Sequence, residues 1–454
     1  MTSDNGISYG DDSPIAAFST AVGNGALSLI RCSGKGSIEL ISSVFTPQKI
    51  KEASGNTIIH GWIINGGEKI DEVLVSVFRS PKSYTGEDSV DISCHGGFTT
   101  GRAVLNTLKS AGFRDALPGE FTFRAFMNGK LDLTKSESVM ELVSAKTEAG
   151  RRHALTRLSG SLLEEINEIK KLLVKVLVGA EIYLDYSEDE ISAANDEEIS
   201  GRLPEKESAL LVLERLRKLS ASWKLERLYQ EGATVVIAGS PNTGKSSLFN
   251  CLLKEDRSIV AETPGTTRDW IEAWISIKGI PVRLVDTAGL RETGDTAEKI
   301  GIERSRSLID EADLVLYLLN GDCYPQNSVK NLFVWSKSDI TPPPPDNKLN
   351  PVCVSAKTGE GIPELVELIS GVISRQVQQN TYVSVSVGTE RQKKLVDAAC
   401  SYMEEALALS DNEQPLDLIA PLLREAVNAL GEITGEISTS DILEEMFSRF
   451  CVGK

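Results

Sequence analysis

The spacing of apolar and polar positions divides the chain into four stretches. From about residue 14 to 128 short apolar runs alternate with turns. SPIAAFSTA and GALSLIRCSG predict strands joined by a Gly-rich turn, and DEVLVSVFRS and SVDISCHGG predict two more. FTTGRAVLNTLKSAG predicts a helix stopped by glycine. From about Leu131 to Leu228 the period lengthens. Leu162, Ile166, Ile169, Leu173 and Val176 recur at helical spacing, as do Leu210, Leu213, Leu216, Leu219 and Trp223. DYSEDEISAANDEEI between them predicts a solvated acidic connector. Between residues 233 and 375 strands and helices alternate. ATVVIAG, IPVRLVDTAG, ADLVLYLLNG, NLFVWSKSD and PVCVSAK are the β runs, and such alternation predicts a doubly wound parallel sheet. TPPPPD within it predicts a rigid surface loop. From residue 376 to 454 helices return, with Leu418, Leu422, Val427 and Leu430 as an apolar stripe.

The division expected is therefore 1–128 (α+β), 129–230 (helical), 231–375 (α/β) and 376–454 (helical again). A helical segment on each side of an α/β block points to one helical domain with the block inserted in it, because domain termini often lie close together. No internal repeat of fixed period is present.

A length of 454 residues suits about three domains at about 150 residues each. With 41% hydrophobic and 25% charged residues the chain fits an ordinary globular protein, which rules out disorder as a whole. No run reaches the roughly 20 apolar residues of a membrane span, and Lys175 interrupts Leu172–Ala180. MTSDNGISYGDDSP is polar and acidic, which fits a short loose extension rather than a signal or transit peptide. Seven scattered cysteines lack any C-x-x-C, and His60, His95 and His153 form no zinc spacing with them. A reducing cytoplasm is the expected location. The net charge of −17 excludes a general nucleic-acid coat protein but leaves room for a local RNA-binding patch.

Candidate chemistry centres on GSPNTGKSS, Gly239 to Ser247, between a predicted strand and a predicted helix. This is G-x-x-x-x-G-K-[ST]. Its glycines let backbone N–H groups face phosphates, Lys245 can reach the β- and γ-phosphates, and Ser246 can bind magnesium. The helix N-terminus adds a favourable field for an anion. Asn242, Thr243, Gly244 and Ser247 complete the phosphate loop. Downstream, GTTRD at Gly265 to Asp269 falls where a first switch loop belongs, with Thr267 as a second magnesium ligand, and Ala261, Glu262, Thr263, Pro264, Gly265, Thr266 and Thr267 are candidate nucleotide contacts. Asp286, Thr287, Ala288 and Gly289 form D-T-A-G at a strand end. There Asp286 can hold magnesium through water and the Gly289 N–H can sense the γ-phosphate. Ser336, Lys337 and Asp339 lie in SKSD, whose Asp can accept both N–H groups of guanine; adenine offers no such pair. Ser355, Ala356 and Lys357 can complete the base pocket. Together these motifs predict a GTPase.

Two positions depart from the usual GTPase pattern. Ser336 stands where Asn is usual, and its shorter hydroxyl loses a hydrogen bond worth roughly 0.5–1.5 kcal/mol. Weaker GTP binding is expected, with guanine preference kept through Asp339. Leu290 stands where Ras-like enzymes place a water-orienting Gln. The segment that follows offers Glu292, Glu298 and Glu303 instead.

The combination resembles the MnmE (TrmE) family of tRNA-modification GTPases. The resemblance is carried by YTGED (Tyr84–Asp88), CHGG (Cys94–Gly97), PGEFTFRAFMNGKLDL (Pro118–Leu133), GSPNTGKSS, PGTTRD, DTAGLRE with IGIERS, EITGE (Glu432–Glu436) and the terminal FCVGK. It implies an N-terminal folate-binding α/β domain, a helical domain and an inserted Ras-like domain. It also implies homodimers through the N-terminal domains and G domains that meet across their nucleotides. Potassium replaces an arginine finger in such enzymes. The resemblance gives Asn242 and the carbonyls of Ala261, Thr263 and Thr266 as its ligands, although the family often has Thr at the position of Ala261. Glu298 matches the water-orienting glutamate. Arg31, Glu87, Lys130 and Lys454 match the folate-contacting positions, while TAVGNGA departs from the family's usual rim. Cys451 in FCVGK is a candidate nucleophile for one-carbon chemistry.

The implied activity is addition of a (carboxymethyl)aminomethyl group to carbon 5 of the wobble uridine of tRNAs. The carbon would come from methylenetetrahydrofolate and the amine from glycine or ammonium. The implied partner is a flavin-dependent MnmG (GidA)-type protein, in a heterotetramer or larger complex. FAD is expected on that partner, since this chain has no G-x-G-x-x-G fingerprint. A ribosome-assembly GTPase is the rival reading, but it leaves FCVGK and the PGEFT run unexplained. A folate scaffold with a decayed GTPase is a second rival, supported only by Ser336.

Overall fold

The computed structural model describes residues 9–185, 203–255, 271–286, 308–319, 330–343, 350–375 and 385–454. They fall into two compact units: residues up to Met140 together with Asn428–Lys454, and residues Glu141–Val427.

The first unit is built on seven strands: β1 (Ile15–Phe18), β2 (Leu27–Ser33), β3 (Phe45–Thr46), β4 (Thr57–Asn65), β5 (Glu68–Phe78), β6 (Ser89–His95) and β7 (Arg114–Asp115). Their order is β3-β4-β5-β6-β2-β1-β7, antiparallel except where β1 meets β7. Alternation puts Ile30, Cys32, Val73, Val75, Val77, Val90 and Ile92 on one face. Helices α1 (Ser37–Val44) and α2 (Phe98–Ala111) cover that face with Ile38, Ile41, Val104 and Leu108. As expected, Gly112 ends α2, at a φ of 120°. The opposite face keeps Leu27, Ile58 and Leu74 exposed and carries Arg31. Helix α3 (Glu120–Met127) packs Phe123 against Leu133 and against Phe447 and Phe450 near the C-terminus. The last residues dock at the end of β1. Gly453 has a φ of 94°, and a Cβ there would lie 2.0 Å from the Phe18 carbonyl oxygen.

The second unit takes in the end of α4 (Leu133–Ser144), then α5 (Glu148–Leu158), α6 (Ser161–Asp185) and α7 (Lys206–Glu231). Leu162, Ile166, Ile169, Leu173 and Val176 are all fully buried along α6. On α7 the expected face needs a correction: Leu210 is half exposed, and Ala209 and Val212 are buried in its place. The real stripe joins Ala209, Val212, Leu213, Leu216 and Leu219, and the small Ala209 carries little apolar signal.

From α7 the chain enters a six-stranded sheet. Its strands are β8 (Ala233–Gly239), β9 (Ile271–Ile277), β10 (Ile280–Asp286), β11 (Leu314–Leu319), β12 (Asn331–Ser336) and β13 (Val352–Val354). The order is β13-β12-β11-β8-β10-β9. Helices α8 (Lys245–Glu255) and α9 (Ile362–Arg375) pack Leu248, Phe249, Leu252, Leu365 and Ile369 on one face. The sheet is mixed rather than purely parallel, because edge strand β9 runs antiparallel to β10. Lys278 and Gly279 join the two strands at φ of 51° and 84°, a two-residue hairpin turn. Such a link has no room for the crossover that a parallel pair needs.

The chain returns at residue 385 and enters α10 (Glu390–Asp411), whose N-cap Thr389 accepts from the Gln392 N–H. The Gln392 side chain in turn accepts from the Gly388 N–H at 2.7 Å. This T-x-x-Q pattern is a variant of the capping box. Behind it, Arg157 is almost fully buried between Glu141 and Glu226, and Ser386 bonds to both Arg157 and Glu226. Helices α11 (Leu416–Thr434) and α12 (Ser440–Ser448) end the chain. On α11 the expected stripe also shifts. Leu418 is half exposed, and Leu416, Ile419, Leu423, Ala426 and Leu430 are buried. Leu418 and Leu422 flank the buried face without forming it. DYSEDEISAANDEEI, apart from the end of α6, and residues 344–346 of TPPPPD lie outside the described residues.

Candidate functional site

The phosphate loop follows β8, which is buried on both faces in the middle of the sheet. At Gly239 (φ 142°) a Cβ would sit 2.6 Å from the Leu318 carbonyl oxygen, so glycine lets the loop leave the sheet against β11. Asn242 and Gly244 take left-handed conformations, at φ of 62° and 92°. Helix α8 then starts at Lys245, turning its first N–H groups toward the loop. The Lys245 ammonium donates to the carbonyls of Gly239 (3.0 Å) and Ser240 (2.9 Å). Ser246 donates to the Asp286 carboxylate at 2.7 Å. Asp286 is fully buried at the end of β10, opposite Ile237 of β8.

Two cavities lie beside this loop. One of about 500 Å³ is lined by Asn242, Gly244, Lys245, Ser246, Ser247 and Lys337. The other, about 190 Å³, is lined by Gly244, Ser247, Leu248, Ser336, Lys337, Asp339, Ile340, Val354, Ala356 and Lys357. They share Gly244, Ser247 and Lys337, so a polar phosphate cradle adjoins a pocket with apolar walls and one carboxylate. Such a pair of cavities can take phosphates on one side and a base that offers N–H donors on the other. Ser355 does not line the pocket. It is buried, and its hydroxyl accepts from the Thr358 N–H, which fixes the turn presenting Ala356 and Lys357.

The base motif also holds the phosphate loop. Ser336 Oγ donates to the Thr243 carbonyl, and Lys337 Nζ donates to the Asn242 carbonyl at 2.8 Å. The motif spacing foretold neither tether. Nor did it foretell Ile340, Leu248 and Val354 as pocket walls, although the apolar residues flanking each motif were the available signal.

Among the described residues no three His, Cys, Asp or Glu side chains gather as metal ligands. The Ser246–Asp286 pair fits magnesium nonetheless, since that ion binds through one or two protein oxygens and takes the rest from phosphate and water. Asn242 is exposed and offers one hard amide oxygen. Ala261, Glu262, Thr263, Pro264, Gly265, Thr266, Thr267, Thr287, Ala288, Gly289, Leu290, Glu292, Glu298 and Glu303 lie outside the described residues.

In the first unit, three of the four candidate folate contacts surround the loop before β6. Strand alternation puts Arg31 and Ser33 on the same face of β2. The Ser33 hydroxyl donates to Glu87 at 2.8 Å, and Lys130 donates to the Pro81 carbonyl at 2.9 Å and packs beside Gly86. Arg31 makes a two-pronged pair with Asp91 (3.0 and 3.1 Å) and lies 5.3 Å from the Tyr84 ring centroid. Burial works against the Arg31 charge, but Asp91 outweighs it and keeps the guanidinium more firmly protonated than usual. The Asp91 partner is invisible in sequence because it depends on β2–β6 register. Lys454 is on the docked tail, where Ser19 Oγ donates to the Gly453 carbonyl at 3.3 Å. Cys451 is exposed there, and its carbonyl accepts from the Gly119 N–H at 3.3 Å.

Comparison with known proteins places the whole chain. The family described as "MnmE helical domain" matches residues 133–451, and that described as "GTP-binding protein TrmE N-terminus" matches residues 14–130. The tRNA modification GTPase MnmE of Treponema denticola is 43% identical, over 98% of this chain and 99% of that protein. The chain belongs to the MnmE family of tRNA modification GTPases. The MnmE proteins of Carboxydothermus hydrogenoformans (38% identical, 97% of this chain and 99% of that protein) and Borrelia recurrentis (40%, 97% and 98%) match at similar length. Matches to the N-terminal and helical family descriptions thus share this chain with the phosphate-loop sheet. Among the described residues no helix is long and apolar enough to cross a membrane.

Proposed function

We propose that this chain is a potassium-activated GTPase acting in the cytoplasm as a homodimer. With an FAD-carrying MnmG (GidA)-type partner, in a heterotetramer or larger complex, it adds a (carboxymethyl)aminomethyl group to carbon 5 of the wobble uridine of tRNAs. One observation carries the GTP part. Lys245 and Ser246, the latter bonded to the buried Asp286, line one cavity and Asp339 lines another, and the two share Gly244, Ser247 and Lys337.

The phosphate-loop and base-pocket roles are argued from this arrangement, and those of Thr267, Ala261, Thr263, Thr266 and Glu298 from the motifs and the family resemblance. Backbone N–H groups from Asn242 to Ser247 cradle the phosphates, and Lys245 exchanges its carbonyl partners for phosphate oxygens. Asp339 accepts from guanine while Ala356 and Lys357 bound the base. Ser246 and Thr267 are the magnesium contacts, with Asp286 holding Ser246 in place. Asn242, with the carbonyls of Ala261, Thr263 and Thr266, is the potassium contact. Bound magnesium and potassium supply positive charge beside the phosphoryl oxygens, where negative charge builds during transfer. Glu298, which matches the family's water-orienting glutamate, orients the attacking water where Leu290 replaces the usual Gln.

The one-carbon unit enters as a tetrahydrofolate derivative. Arg31, Lys130 and Lys454 supply cations for its carboxylates, and Glu87 supplies acceptors for the pterin N–H donors. The donor set fits: a half-buried carboxylate and cationic side chains surround one loop on an open sheet face. Cys451 is the candidate nucleophile.

Phosphate release measured in potassium and in sodium tests the hydrolysis, with nucleoside analysis of tRNA from a deletion strain alongside. Equal rates in both salts would overturn the cation assignment. Unchanged wobble uridines would overturn the tRNA role. Loss of turnover with retained GTP binding is expected of Glu298→Ala.

A further inference from the structure

We propose that Arg124 is the positioning residue for Glu87, holding that carboxylate as an oriented acceptor for the two-donor edge of a reduced pterin. The inference rests on the folate reading above. Five charged side chains alternate in one chain: Asp11, Arg114, Glu120, Arg124 and Glu87. At its centre Glu120 is fully buried and accepts from Arg114 (2.6 and 2.8 Å) and from Arg124 (2.8 and 3.2 Å). One carboxylate cannot balance two guanidinium groups. Each arginine therefore takes a second carboxylate: Arg114 pairs with Asp11 at 3.3 Å, and Arg124 pairs with Glu87 at 3.2 Å.

Arg124 is fixed from behind. Its side chain is only 6% exposed, and it also donates to the carbonyls of Asp11 (3.0 Å) and Ser13 (2.8 Å). Just after β2, Gly34 packs against both Pro14 and Arg124: a Cβ there would lie 2.8 Å from the Pro14 Cα and 3.3 Å from Arg124 Nη1. The planar fork thus reaches Glu87 from an immobile base.

The contacts on Glu87 are one-sided. Ser33 and the closer Arg124 contact both fall on Oε2, at 2.8 and 3.2 Å, and Oε1 has only a 3.4 Å approach from Arg124. An ionised carboxylate has about four acceptor sites, so most of the remaining capacity lies on Oε1. A pterin presents a ring N–H beside an exocyclic amino group, and a carboxylate meets that pair only at a fixed angle. Arg124 and Ser33 set the angle.

The test uses the full chain and 5-formyltetrahydrofolate carrying one or three glutamates, with affinities from calorimetry. Arg124→Gln is expected to weaken both ligands about tenfold, as loss of a charge-assisted contact does. The triglutamate-to-monoglutamate affinity ratio should hold, because the cations that meet the tail are untouched. Arg124→Lys should recover part of the loss. Ser33→Ala, which leaves the five-charge chain in place, should show a smaller loss with the same unchanged ratio. Wild-type affinity in Arg124→Gln overturns the proposal, as does a ratio that collapses with the affinity, since that marks a disrupted pocket. If Arg124→Gln fails to fold, wild-type affinity in Ser33→Ala overturns it. A chain that binds neither ligand, or a Glu87→Gln variant that binds normally, overturns the folate reading itself. Weakened binding in Glu87→Gln with normal binding in Arg124→Gln overturns only the positioning role.

Discussion

Ser336 Oγ donates to the carbonyl oxygen of Thr243, so the first residue of the guanine motif is tied directly to the phosphate loop. The hydroxyl is short, yet β12 brings it close enough because Ser336 ends that strand beside the loop. The side chain that stands where Asn is usual therefore keeps a structural tether, whatever base contact it gives up. Ser336→Ala is expected to weaken GTP and GDP together, by up to about tenfold, as loss of one hydrogen bond allows. Titration with fluorescent nucleotides checks this. A loss confined to GTP would mean the tether acts on the γ-phosphate alone.

On the proposed reading base selection falls to Asp339, the carboxylate lining the smaller cavity. Asp339→Asn removes the double acceptor that guanine requires and supplies a donor that suits the xanthine carbonyl. The variant should lose GTP affinity and gain xanthosine triphosphate affinity, read by competition between the two. An unchanged preference would show that selection lies elsewhere in the pocket.

How much of this was legible in the chain varies with the range of the interaction. The phosphate loop is local: Gly244, Lys245 and Ser246 are read from spacing alone, and the structure puts them at one cavity. Helix faces were legible to within a residue. Leu210 and Leu418 misled because an exposed leucine signals as strongly as a buried one, while Ala209 and Ala426 signal little. The antiparallel β9 was hidden by a Lys-Gly turn, a weaker hairpin mark than Asn-Gly. Pairings across long separations, such as Arg31 with Asp91 and Arg124 with Glu87, depend on register and topology that no local pattern carries.

The buried cluster where the chain returns from the nucleotide domain should show in acid stability. Burial alone would raise the Glu226 pKa. The His153 hydrogen bond and the Arg157 charge outweigh it and hold the carboxyl below its usual range. A depressed carboxyl contributes stability that is complete above its ordinary value of 4.5. That contribution is lost as pH falls through the lower folded value. Glu226→Gln is expected to cost roughly 3–5 kcal/mol at neutral pH, because Arg157 loses one of its two buried partners. Urea unfolding at pH 7 and at low pH checks the sign: the two proteins should converge on acidification. A gap that stays constant or widens would place the stabilisation in packing.

The docked C-terminus gives a way to separate the proposed folate site from the nucleotide site. Gly453 sits at a φ of 94°, and a Cβ there would overlap the Phe18 carbonyl at 2.0 Å and approach the Ser19 Cα at 3.2 Å. Both objections are to backbone, which cannot turn aside as a flexible side chain can. Gly453→Ala should therefore lift the tail from β1 and carry Lys454 and Cys451 away with it. On the folate reading the variant binds 5-formyltetrahydrofolate more weakly and loses tRNA modification. Its GTP affinity and potassium-stimulated hydrolysis should match the wild type, because the phosphate loop and base pocket belong to the other compact unit. Cys451→Ser is the companion. It keeps the tail docked, so folate binding should persist, and modification should fall only if the thiol takes part in the chemistry. Undiminished folate binding in Gly453→Ala would remove Lys454 from the site.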